Sequence, residues 1–298
     1  MLMRLLTFRR VLRRRRIMPL KGLCKPPAQP VVMIYIEKST PGDIIKPKAG
    51  DFMEHKEYRR IVPDSEAAVL FIHGIAGTPN HFEKFIPLVP ENYSVYNILL
   101  DGHGGKTEDF SHTSMKKWEK QTEKAVKELL ETHKKVYIAA HSMGTLFAIE
   151  QAVKNSRVEK LFLLAVPIKL FVKPKAIISA IKIYLGKVPA DDVKTIAMKN
   201  CCGVGLCKNP LKYLGWIPRF LELFGKISGT RKIISDLKTD CRIYQSEHDE
   251  LVSVKSVDYL RSKTGAFVSM LKKSGHYYYE KGDFDYLLGE FEKFIVRE

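Results

Sequence analysis

The chain has 298 residues, 45% of them hydrophobic and 28% charged, enough to bury the core of one α/β domain or of a domain with an insertion. Disordered and fibrous classes are excluded, and the longest apolar run, Leu161 to Ile168, falls far short of the roughly 20 residues a bilayer-spanning helix needs. Fifty Lys and Arg against 33 Asp and Glu give +17, a balance that suits a phosphate-rich partner, nucleic acid or an anionic membrane.

That charge is concentrated at the start. Residues 1–25 carry nine basic side chains and no acid, with Leu2, Leu5, Leu6, Phe8, Val11 and Leu12 interleaved among the arginines. A secretory signal would need an unbroken apolar stretch after its charges, so export by that route is not expected. The pattern reads as a basic N-terminal arm and linker over 1–30, able to lie on an anionic bilayer surface. An unstructured tail, or initiation at Met18, would give the same sequence. The prolines at 26, 27, 30, 41 and 47 then exclude a long helix, although 31–36 can form a short edge strand.

From residue 67 the pattern is regular. An apolar run at 68–72, a helical segment at 79–88 and a second run at 93–100 make a strand, helix, strand unit. An amphipathic helix over 114–133 precedes a buried strand at 136–140, a helix at 143–154 and a strand at 161–164. The alternation then stops over 167–238, where helices are expected at 175–185 and 213–224; an insertion of this kind belongs above the sheet as a helical cap. A strand at 241–245, a helix at 254–262, a strand at 266–271 and a helix at 284–296 close the chain. The expected architecture is α/β, a doubly wound and mostly parallel sheet, with core segments 31–166 and 239–298 interrupted by the 167–238 cap.

The strand at 136–140 runs directly into His141, Ser142, Met143 and Gly144, where a helix begins. A serine on so sharp a turn needs small residues two before and two after it, and Ala140 and Gly144 supply them. Ser142 is therefore the candidate nucleophile, although a serine that merely caps a helix would look similar. A second element, His73-Gly-Ile-Ala-Gly-Thr-Pro79, directly follows the first buried strand. The backbone N–H groups of Ile75 and Met143 can there receive the negative charge of a tetrahedral intermediate. The nucleophile needs a base and the base an orienting acid. His276 follows the last strand, and Asp249 lies on the loop after the strand before it, in the chain order Ser, Asp, His that this architecture carries. His248 is the alternative base, and Glu247 and Glu250 read as solvated surface charge.

On the motifs HGIAGTP, LLDGHGG, AHSMG, SEHDELV and SGH, residues 67–297 resemble the serine α/β-hydrolases, specifically the bacterial carboxylesterase and monoacylglycerol-lipase group. The resemblance implies hydrolysis of carboxylic esters without a cofactor, beneath a helical cap. It makes Ser142 the nucleophile, His276 the general base and then acid, and Asp249 the group that fixes the tautomer of His276. Ala140 departs from the usual glycine by one methyl. Asp101 to Gly105 then reads as the glycine-rich loop flanking the pocket, and a metal there would lack a third ligand.

Cys24, Cys201, Cys202, Cys207 and Cys241 are odd in number and have no two-residue spacing, which suits reduced thiols in a cytoplasm. Those in the insertion are expected to be buried as small hydrophobes. The insertion's apolar side chains, among them Ile177, Ile178, Ile181, Trp216, Phe220 and Phe224, are expected to face the serine in part and to favour an apolar acyl group. The reading is a serine ester hydrolase of the carboxylesterase or monoacylglycerol-lipase type, acting on a small-molecule ester or lipid, with no metal, no cofactor and no nucleic acid. It is expected in the cytoplasm or peripheral to the membrane. A serine acyltransferase or thioesterase would use the same residues, and a catalytically silent membrane-binding homologue is the third alternative.

Overall fold

The structure, a computed structural model, describes residues 55–296. The basic arm and the edge strand expected over 31–36 lie outside them. Among the described residues seven strands make one sheet: β1 (Tyr58–Arg60), β2 (Ala67–Ile72), β3 (Ser94–Ile98), β4 (Lys135–His141), β5 (Val158–Leu164), β6 (Asp240–Ser246) and β7 (Phe267–Leu271). Their spatial order is β1-β3-β2-β4-β5-β6-β7. All neighbours run parallel except β1, which pairs antiparallel with β3. The short, polar β1 has no alternating apolar pattern to announce it; the Arg59 guanidinium lies 3.8 Å over the Tyr96 ring, and Arg60 donates to the Val89, Pro90 and Tyr93 carbonyls.

The central strands are apolar on both faces because both are covered. Leu70, Ile72, Ile138 and Ala140 meet Trp118 and Phe147, from the helices on either side of β4 in the chain, in one core. Their alternates Val69, Phe71, Tyr137 and Ala139 meet Phe291 and Phe294 of the C-terminal helix in a second. The helices are α1 (Thr107–Ser111), α2 (Met115–Thr132), α3 (Met143–Lys154), α4 (Pro174–Tyr184), α5 (Val193–Asn200), α6 (Ile217–Ile233), α7 (Lys255–Lys263) and α8 (Lys281–Val296). Because β3 and β4 flank β2 on opposite sides, the chain reverses its winding at β2. A crevice opens there at the carboxyl ends of the strands, where such sheets bind ligands.

Two expected helices differ. The segment 79–88 is two short 3₁₀ turns, Pro79–Phe82 and Ile86–Leu88, since Pro87 removes an N–H from any continuous helix. The helix expected at 213–224 is a 3₁₀ turn over Pro210–Trp216 followed by α6, which starts beside Pro218, where a first-turn N–H is unpaired in any case.

Between β5 and β6, α6 packs Leu223 and Ile227 into the core around α3, and its Lys226 pairs with Glu150. The 203–205 segment lies directly on the loops that follow β2 and β3. Gly203 N–H donates to Ala76 O at 2.8 Å, Gly104 N–H to Gly203 O at 2.6 Å and Gly205 N–H to Gly105 O at 2.8 Å. A Cβ at Gly203 would overlap the Gly77 carbonyl oxygen, so only glycine permits this approach. Gly203→Ala is expected to lift the segment from the 74–78 loop. Thermal unfolding and ester turnover should show a lower midpoint and at least a tenfold loss of rate; wild-type values for both would mean that the loop does not depend on this clamp.

Candidate active site

Ser142 stands between β4 and α3 with φ 51° and ψ −123°, a conformation L-residues rarely adopt. Local strain of this kind persists only where surrounding structure enforces it. Here Gly144 is the cause: a Cβ on it would strike the carbonyl oxygens of Ile72 and His73, so α3 is drawn against β2. The backbone must turn sharply at Ser142 to allow this, and the hydroxyl is thereby raised above the sheet.

The structure brings Ser142, His276 and Asp249 together from three separate loops. His276 Nδ1 lies 2.8 Å from Asp249 Oδ2 and its Nε2 3.1 Å from Ser142 Oγ. An ionised carboxylate only accepts, so Nδ1 carries the proton, and Nε2 is left to accept from the serine hydroxyl. The other carboxylate oxygen of Asp249 accepts the backbone N–H groups of Leu251 at 2.8 Å and Val252 at 2.7 Å, which fixes its plane. Asp249 and His276 are each 1% exposed and Ser142 8%, so the relay is shielded from water.

Beside Ser142, the loop after β2 turns tightly: Gly77 N–H donates to Gly74 O at 3.1 Å and Ala76 has φ 51°. Met143 opens α3, where first-turn N–H groups have no intrahelical acceptor. His73 braces this loop from below, donating from Nδ1 to Gly74 O at 2.9 Å and accepting the Leu100 N–H on Nε2 at 3.1 Å. His103, on the glycine-rich loop, has Nδ1 against the Leu100 and Asp101 carbonyls at 3.1 and 3.2 Å.

The family model of the serine aminopeptidases, S33, matches residues 63–211, half of the chain. The chain belongs to that family. Solved structures agree on the fold. A structure from the work on the two metagenome-derived lipolytic enzymes LipS and LipT superposes with a TM-score of 0.62 at 17% identity, covering 82% of this chain and 98% of its own. The monoacylglycerol lipase of Paleococcus ferrophilus does so at 0.58 and 16%, covering 83% and 100%. The thioesterase domain from the curacin biosynthetic pathway does so at 0.53 and 17%, covering 80% and 94%. Among curated proteins none matches the chain. The mostly parallel sheet, its flanking helices and these likenesses make this an α/β-hydrolase. Among the described residues no helix is long and apolar enough to cross a membrane.

In this hydrolase the surroundings of His276 include residues that motif reading passes over. Glu250 does not behave as solvated surface charge: its Oε2 accepts the backbone N–H of His276 at 2.9 Å and so positions the histidine loop. Glu247 is exposed and lies 3.4 Å from Lys272. His141 turns away from the serine and donates from Nε2 to the His276 carbonyl at 3.1 Å, with His81 stacked on it at 4.0 Å. Such contacts join residues distant in sequence, and no local pattern marks them.

Burial, and secondarily the other rings, hold His73 and His141 well below the ordinary histidine value of 6.5. Burial also lowers His81 to about 3 and His103 to about 4. The folded protein thus keeps four rings neutral that the unfolded chain protonates near pH 6.5. Below there the unfolded state binds more protons, so stability is fully present above the unfolded histidine value and is lost as pH falls toward the lowered folded values. Urea midpoints should be level above neutrality and decline steeply below 6.5. His81 Nε2 has no hydrogen-bond partner among the described residues, so His81→Phe is expected to make the decline shallower by one proton; an unchanged slope would contradict the assignment.

The expectation for the insertion's apolar side chains is corrected for the space over the serine itself. Ile177, Ile178, Ile181, Phe220 and Phe224 are all more than 40% exposed, and none of them lines the space over Ser142. That space holds only about 10 Å³ and is bounded by the 73–78 loop, His81, His141, Cys201 and Tyr277. Cys201, Cys202 and Cys207 are partly buried, and burial raises the Cys201 thiol to about 12.

Proposed function

We propose that this protein hydrolyses carboxylic esters with apolar acyl chains through an acyl-enzyme on Ser142. The observation that carries the reading is the relay Ser142 Oγ, His276, Asp249 at 3.1 and 2.8 Å, set on a strained strand-to-helix turn. Ser142 Oγ attacks the carbonyl carbon while its proton passes to His276 Nε2. The former carbonyl oxygen gains the negative charge and takes hydrogen bonds from the N–H groups of Ile75 and Met143. As the intermediate collapses, the ester C–O bond breaks and His276 returns the proton to the departing alcohol. Water, deprotonated by the same nitrogen, then attacks the acyl-enzyme and releases the acid, restoring the serine hydroxyl.

The space over Ser142 is narrow, about 10 Å³, and Tyr277, which lines both it and the larger neighbouring cavity, is the side chain an entering ester must pass. The apolar acyl preference is supported by Ala176, Ile178, Met198 and Leu251, which line the larger cavity next to the site. The test is covalent labelling by a fluorophosphonate, followed by turnover of p-nitrophenyl esters of graded chain length. Labelling at Ser142 with faster turnover of medium than of acetyl esters is expected. A protein that neither labels nor turns over any of these esters would overturn the reading.

A further inference from the structure

A cavity of about 720 Å³ opens between the start of α4, α5 and the loop carrying Asp249. Tyr277 lines both this cavity and the space over the serine. Its volume is that of a small-ligand pocket, too small for a polymer. Four lysines surround it, Lys173, Lys175, Lys182 and Lys194, against two acids, Asp192 and Glu250. The lysines outnumber the acids by two, and both acids are held by other groups. Asp192 pairs with Lys182 at 2.6 Å and accepts the Thr195 N–H at 3.2 Å, and Glu250 holds the His276 backbone.

Lys173, Lys175 and Lys194 are left with no carboxylate partner among the described residues. Solvated surface lysines need no ligand, but these three converge on one concavity with apolar walls. Like charges gathered around a cleft focus a positive potential into it, and an entering anion relieves their repulsion. Ala176, Ile178, Met198 and Leu251 supply apolar surface in the same space.

We infer that this cavity binds the anionic group of the ester substrate, so that the enzyme prefers an acyl ester bearing a phosphate or carboxylate over its neutral counterpart. The inference rests on the proposed ester hydrolysis and adds the charge of the substrate to it. The anion can belong to the alcohol or to the far end of the acyl chain. Both arrangements use the same lysines, and matched substrates separate them.

The experiment compares kcat/KM for 1-butyrylglycerol with 1-butyrylglycerol 3-phosphate, and for p-nitrophenyl butyrate with mono-p-nitrophenyl glutarate, in the full chain and in K173Q/K175Q/K194Q. At least a tenfold preference for the anionic member of one pair is expected. It should fall at least tenfold in the triple variant, survive in K173R/K175R/K194R, and shrink at about 0.5 M salt. Which pair shows it tells which side of the ester enters the cavity. No preference in either pair, or a preference that survives lysine neutralisation, overturns the inference. Fluorophosphonate labelling of Ser142 reports separately on the catalytic reading. Should that fail, calorimetric binding of octyl phosphate to the wild type, lost in the glutamine variant, still supports the anion site, and absence of binding refutes it.

Discussion

Ser142→Ala is expected to abolish fluorophosphonate labelling and to lower ester turnover by about 10⁴- to 10⁶-fold, the range seen when a member of such a relay is removed. The hydroxyl is held 3.1 Å from His276 Nε2. The fold around it is set by Gly144 against β2 and by the Ser142 N–H bond to Leu164 O at 2.9 Å, all of which alanine keeps. Thermal unfolding should therefore change little while turnover collapses. Near-normal turnover by the purified variant would place the nucleophile elsewhere. His276→Ala should be comparably damaging, whereas His248→Ala should not, since His248 lines the neighbouring lysine-rich cavity and not the space over the serine.

Asp249→Asn should cost about 10³- to 10⁴-fold, and the hydrogen bonds show why. Two backbone N–H groups, of Leu251 and Val252, converge on Oδ1. An asparagine must present its carbonyl oxygen to them, which turns its NH₂ toward His276 Nδ1. That nitrogen must then accept, the imidazole proton moves to Nε2, and Nε2 can no longer take a proton from the serine. Glu250→Gln keeps an oxygen for the His276 backbone N–H, and Glu247→Gln alters an exposed group; both should stay within about tenfold of the wild type. Measuring the three variants at one pH identifies the carboxylate that orients the histidine. A larger loss in Glu250→Gln than in Asp249→Asn would contradict the arrangement.

Most of the strand and helix alternation, the elbow at Ser142 and the order Ser142, Asp249, His276 were legible in the amino-acid sequence, whereas β1, α1, α5 and the 3₁₀ turns at 79–88 were not. Each legible feature is a local signal: short apolar runs report burial on both faces of a strand, and a turn as tight as the elbow admits few residue types beside the serine. Tertiary structure decided what local pattern cannot encode. Helical spacing places Ile177, Ile181 and Phe220 on apolar stripes, but whether a stripe faces a pocket or solvent depends on how the whole helix is docked, and these face outward. The bond from His276 to Glu250, the stacking of His81 on His141, and the closure of the serine by Tyr277 and Cys201 each join segments that meet only once the sheet is assembled. So does the gathering of lysines from α4, its N-cap and α5 around one cavity: in the chain they are scattered charges, and only the packing of the two helices against the acid loop sets them side by side.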